Sequence, residues 1–204
     1  MGQRSRSSRD PQRRLVLNRE RELAQLRYAL DGALCGRGQV VLAAGEAGIG
    51  KTTLAQEFAA TAARRGVRVL WGRCGDREGS PPYWPWAEIL RTLAEAESAE
   101  EMRALFEPGA RYIGLVLPEL RGRFHVERSS IPDDHSVRFH VADAIRSLFH
   151  RAARQRSLLL VLDDLHWADQ GSLFVGAREP GTDRRRRRRA GVRFPAAARG
   201  AVGR

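Results

Sequence analysis

The order of apolar and polar positions divides the chain into stretches of two periods. Gln39-Val40-Val41-Leu42-Ala43-Ala44 is a short apolar, β-branched run that predicts a buried parallel strand. Val67 to Gly72 alternates and then runs apolar, and Leu158 to Leu162 is unbroken, so strands are also predicted over 67–72 and 157–162. Between them the spacing turns helical. Leu23, Leu26, Leu30 and Ala33 share one face of a helix ending near Gly36, and Leu54, Phe58 and Ala62 line a second over 51–65, closed by Gly66. Ile89, Leu90, Leu93, Met102 and Leu105 predict two short helices over 87–105. Val141, Ala144, Ile145, Leu148, Phe149 and Ala152 form the stripe of a longer helix that starts after Pro132-Asp133-Asp134. Gly109, Gly114, Pro118 and Gly122 break residues 107–131 too often for an assignment, and the prolines of 79–86 argue against helix or central strand there. Strands alternating with helices predict an α/β fold with a parallel sheet.

Between the first predicted strand and the helix of 51–65 lies Gly45-Glu46-Ala47-Gly48-Ile49-Gly50-Lys51-Thr52-Thr53, which fits the phosphate-loop pattern G-x-x-x-x-G-K-[ST]. Its three glycines let successive backbone N–H groups turn inward at a phosphate, and the helix adds the positive end of its dipole. Lys51 is placed to reach the β- and γ-phosphates, and the Thr52 hydroxyl to reach Mg²⁺. Lys51 is also the single lysine among 36 basic residues. A chain that uses arginine everywhere else keeps the compact ammonium where a planar fork does not fit beside the cradle.

The strand of 157–162 runs into two carboxylates, Asp163 and Asp164. Ligands gather at the carboxyl ends of parallel strands, so the pair is expected on the same edge as the phosphate loop. One carboxylate is able to hold Mg²⁺ while its neighbour polarises a water; taken alone, the pair reads better as acids capping the next helix, and the phosphate loop is what tips it to the metal reading. Tyr83, Trp84 and Trp86, interleaved with proline, serve either to stack a base or, more commonly, to dock their loop onto the domain.

Charge changes the picture only at the ends. The net charge of +12 over 204 residues suggests a nucleic-acid binder, yet residues 15–174 are neutral and the excess sits in 1–14 and 175–204. The first tail is expected to be disordered; it has no apolar core of a signal peptide, and Arg6 stands where a myristoylation motif wants Ser or Thr. No apolar run is long enough to span a membrane. Cys35 and Cys74 lack metal-ligand spacing and read as reduced thiols of a cytoplasmic protein. His125, His135, His140 and His150 are scattered and read as ordinary surface or helix residues.

With these motifs placed, the chain resembles the STAND class of P-loop, AAA-like ATPases, and more closely the ATPase domain of large ATP-binding LuxR-type transcription regulators and of proteins carrying nucleotide cyclases. The resemblance rests on Leu17-Asn18-Arg19-Glu20 with Glu22-Leu23, the phosphate loop, Trp71-Gly72-Arg73-Cys74, Pro82 to Trp86, and Leu160 to Asp169. Asn18 stands where the family usually has Gly, which weakens the carry-over of Arg19 to the nucleotide pocket. The resemblance implies a three-layer P-loop sandwich, ATP as ligand, and Gly45, Glu46, Ala47, Gly48, Ile49, Gly50 and Lys51 around the phosphates. It further implies Thr53 near the α-phosphate, Thr52 and Asp163 at Mg²⁺, and Asp164, with Lys51, acting in catalysis. It implies a nucleotide-dependent switch with a regulatory partner or self-association, and DNA contact only through a separate output domain. A non-hydrolysing sensor beside a cyclase, and nucleic-acid binding through the tails, are the rival readings.

After Phe174 the family pattern continues with a helix, a fourth strand and a lid. Here Arg, Ala, Gly and Pro make up 23 of residues 175–204, with Arg184 to Arg189 consecutive, so that stretch reads as out-of-frame translation or a disordered tail. The domain is therefore expected over 15–174, incomplete at its C-terminal end and not itself a competent ATPase.

Overall fold

A computed structural model describes residues 19–75, 81–125 and 137–176. Helix α1 (Glu20–Leu34) and helix α2 (Lys51–Arg64) come first, followed by strand β1 (Arg68–Arg73). Helices α3 (Trp84–Ala96), α4 (Ala99–Phe106), α5 (Ala110–Val116) and α6 (Val137–Gln155) lead to strand β2 (Leu158–Asp163), and α7 (Gln170–Gly176) follows. β1 and β2 pair in parallel, from Arg68 opposite Leu158 to Arg73 opposite Asp163.

The period of two along each strand sends its side chains to two different cores. Leu70 of β1 and Leu158, Leu160 and Leu162 of β2 face a large cluster built by α3 to α7, whose centre includes Trp86, Leu90, Phe106, Ile145 and Phe149. Val69 and Leu159 face a smaller cluster of Leu23, Leu30, Leu54, Phe58 and Ala62 from α1 and α2. Helices thus cover both faces of a small parallel sheet, the layering expected of an α/β fold. At Gly72 the start of α3 lies directly on β1: a Cβ built there would sit 2.2 Å from the carbonyl oxygen of Pro85.

Most predicted helices appear with the predicted stripes inward. The histidines divide: His125 and His140 are exposed, His150 is half-buried on α6, and His135 and the start predicted for that helix at 132–134 lie outside the described residues. The tails 1–14 and 177–204 also lie outside them.

Three predictions are corrected. Residues 39–44 form no strand: Val41 is 51% and Leu42 62% exposed, and the sheet of the described residues holds β1 and β2 alone. An apolar run becomes a strand only with a hydrogen-bonding neighbour, and this run joins the ladder of neither strand. Helix begins at Trp84 rather than 87, because Pro85 occupies the first turn, where a missing N–H costs nothing and the fixed φ suits the helix. At the other end α7 continues through Val175, which is fully buried, past the expected boundary at Phe174.

Candidate functional site

The phosphate loop is built by backbone conformations that glycine allows. Gly48 and Gly50 have φ of 77° and 91°, and Gly50 forms the N-terminal cap of α2 by accepting from the Leu54 N–H at 3.0 Å. Lys51 folds back over the loop, its Nζ donating to the carbonyl oxygens of Gly45 and Glu46 at 2.8 and 2.9 Å. Arg19, at the entrance to α1, donates to the carbonyl of Ile49. Arg19, whose carry-over to the nucleotide pocket the Asn18 departure weakens, thus touches the phosphate loop through one backbone carbonyl.

Asp163 ends β2 one side chain away from this loop. The Thr52 hydroxyl donates to its two carboxylate oxygens, at 3.1 and 3.0 Å, across 111 residues of sequence. Thr53, on the same turn, is half-buried. Asp164 follows with φ 56° and ψ 39°, a left-handed conformation that aspartate tolerates better than most residues. Its N–H donates to Asp163 Oδ1 at 3.1 Å, and its exposed carboxylate makes no cap bond to the short helical turn at Leu165–Trp167. The capping alternative for this residue thus has no hydrogen bond behind it.

Capping is the work of Asp169. Its carboxylate accepts from the Ser172 N–H at 3.0 Å, starting α7, and from the Tyr83 N–H at 3.1 Å, fixing the left-handed residue that precedes α3. Trp86 is wholly buried and donates from Nε1 to the Ser172 carbonyl at 2.9 Å, while Trp84 donates to Glu88. The aromatic segment is therefore docked onto the domain.

Cys74, buried just beyond β1, reports the field around these acids. Its thiol is pushed up from 9.0 to about 11, by burial first and then by Asp169, Asp164, Glu88 and Asp163. Arg73 brings a cation to the same edge, its Nη2 standing 3.7 Å from Asp163 Oδ2. Sequence reasoning assigned Arg73 no role, because the register that sets it opposite Asp163 is a property of the sheet.

Among the described residues no cluster of three or more His, Cys, Asp or Glu side chains is arranged to hold a metal. One carboxylate and one hydroxyl are instead what Mg²⁺ uses when phosphates and waters fill its other positions, so Thr52 and Asp163 fit that ion. Oxygen donors for a hard cation, a glycine-built loop under the Lys51 ammonium and an exposed carboxylate next door are together suited to binding and activating a phosphoanhydride.

Among curated proteins, the chain is 30% identical over 172 residues to an uncharacterised protein of Rhizobium meliloti (strain 1021). That match takes in 77% of this chain and spans 16% of the relative's length. No solved structure matches. No described helix is long and apolar enough to cross a membrane. A family model described as AAA ATPase domain matches residues 16–178, which takes in α1, the phosphate loop, both strands and the Asp163-Asp164 pair, and on that match the chain belongs to the AAA ATPase domain family.

Proposed function

We propose that this chain is a Mg²⁺–ATP-binding module and serves as the nucleotide-dependent switch of a bacterial signalling or transcription-regulator ATPase of the STAND class. The observation that carries the reading is the bond from Thr52 to both oxygens of Asp163, which joins the phosphate loop to the end of β2. Thr52 and Asp163 would hold the cation, and Lys51 would exchange the carbonyls of Gly45 and Glu46 for the β- and γ-phosphates. Backbone N–H groups of residues 45–50 cradle the phosphates, with Thr53 near the α-phosphate. Bound there, Mg²⁺ neutralises charge on the outer phosphates and acts as a Lewis acid. Asp164, with its carboxylate unspent on capping, is suited to orienting a water and taking its proton in a protein that hydrolyses ATP.

The switch role is supported by the resemblance of the Leu17-to-Leu23, Trp71-to-Cys74, Pro82-to-Trp86 and Leu160-to-Asp169 stretches to the signalling ATPases. Inducer recognition and DNA binding or cyclic-nucleotide synthesis then belong to other parts of a longer protein, with self-association or a regulatory partner linking them. Calorimetric titration with Mg²⁺–ATP tests the reading. Lys51→Ala removes charge-assisted hydrogen bonds and should weaken binding about 10- to 150-fold. Asp163→Asn should raise the magnesium requirement, and Asp164→Asn should leave affinity unchanged. Equal affinity for the wild type and the Lys51 variant would overturn the assignment.

A further inference from the structure

Arg73 is held unlike any other cation of this site. Its main chain is pinned on two sides: its own N–H donates to Glu88 at 2.8 Å, and the next N–H, of Cys74, donates to the Asp163 carbonyl at 3.0 Å. Its side chain is 63% exposed, against 13% for that of Asp163, and the two meet at 3.7 Å. An ion pair with so exposed a partner is weak and changes partners easily. Lys51 and Arg19, by contrast, are engaged with carbonyls of the phosphate loop. Arg73 alone of these three reaches the carboxylate that also accepts from Thr52.

We propose that Arg73 makes this site distinguish a nucleoside triphosphate from a diphosphate, by exchanging Asp163 for the terminal phosphate. The inference rests on the Mg²⁺–ATP reading above. A divalent cation at Thr52 and Asp163 cancels the attraction that holds the guanidinium there and repels it. A triphosphate held with its cation at Thr52 and Asp163 would bring its terminal phosphate next to that carboxylate, where the displaced arm would find oxygens to bind. The planar fork of arginine matches phosphate through two parallel hydrogen bonds. A diphosphate ends one group short and leaves the arm in solvent. Glu88 and the β-ladder keep the base of the arm in place throughout, so the exchange needs only side-chain rotation.

The test compares wild type, Arg73→Ala, Arg73→Lys and Lys51→Ala in the full chain. Affinities for Mg²⁺–ATP and Mg²⁺–ADP are measured by calorimetry, magnesium is titrated at fixed ADP, and thermal unfolding is followed for each variant. Arg73→Ala should bind ATP about 10- to 150-fold more weakly while ADP binding stays within about twofold. The magnesium needed for half-maximal ADP binding should fall, because Asp163 loses a competing cation. Arg73→Lys should recover part of the ATP preference, and Lys51→Ala should weaken both nucleotides. Equal losses for ATP and ADP in Arg73→Ala, or an unchanged ratio in a protein that binds both, would overturn the inference. A wild-type chain that binds neither nucleotide would overturn the Mg²⁺–ATP reading, and this inference with it.

Discussion

On one face of the sheet, α3 to α7 bury Trp86, Ile89, Leu90, Leu93, Phe106, Ile145 and Phe149 completely; on the other, α1 and α2 contribute five buried residues to a core completed by Val67, while Val41, Leu42 and Ile49 face solvent. Both faces belong to the same two strands, so the difference is one of packing and not of fold class. The thickly packed side fixes where β2 ends and hence where Asp163 stands. The thinly packed side carries the phosphate loop, which must rearrange its Lys51 contacts to take a ligand. Segments that move in binding come from the least stable parts of a structure, and a rigid carboxylate opposite a soft loop is the arrangement this division produces.

The contrast is broken most forcefully at Trp86. Trp86→Ala removes a wholly buried ring packed 5.9 Å from that of Phe149 and should cost about 3–5 kcal/mol, seen as a large fall in the denaturant midpoint. Leu42→Ser, in the exposed run, should shift the same midpoint by no more than about 0.5 kcal/mol. Similar costs at the two positions would mean that 39–44 is packed after all.

Gly72 probes the seam between the strand and the thick core. A methyl group there meets the Pro85 carbonyl, so Gly72→Ala must push α3 off β1 and should cost about 1–3 kcal/mol of stability in the same unfolding experiment. An unchanged midpoint would show that the close approach is not needed.

What could be read from the sequence followed the same line. Stripes such as Leu23 and Leu30, or Val141 to Ala152, are local patterns, and they found α1 and α6. The phosphate loop was legible because its chemistry lies in consecutive residues. The run 39–44 was misread because apolar composition signals a wish for burial and says nothing of which strand will pair. The start of α3 was missed because proline is excluded from a helix interior but welcome in a first turn. Arg73, Asp169 and the contact of Arg19 with Ile49 depend on register or on loops meeting across the fold, and neither can be read from spacing.

The smallest expected effect is chemical. Because the Cys74 thiol lies near 11 and Cys35 is exposed, a thiol reagent at pH 8 should label Cys35 and leave Cys74 untouched until the chain unfolds. The shift also gives stability a pH dependence of fixed sign. Unfolded Cys74 loses its proton near 9.0 and folded Cys74 near 11, so the contribution is complete below 9 and disappears as pH rises through that window. Equal labelling of both thiols in the folded chain would show that the acidic edge around Cys74 is open.

The phosphate loop and Asp163 are proposed to come together on one ligand, Mg²⁺–ATP. Thermal unfolding of the wild type and Lys51→Ala, each with and without Mg²⁺–ATP, tests it most directly. A ligand at about 100 times its dissociation constant stabilises the state that binds it by about 2.7 kcal/mol, so the wild-type midpoint should rise by several degrees. The Lys51 variant should unfold at the wild-type midpoint without ligand and gain little or nothing from it. No rise in the wild type, or an equal rise in the variant, would contradict the claim.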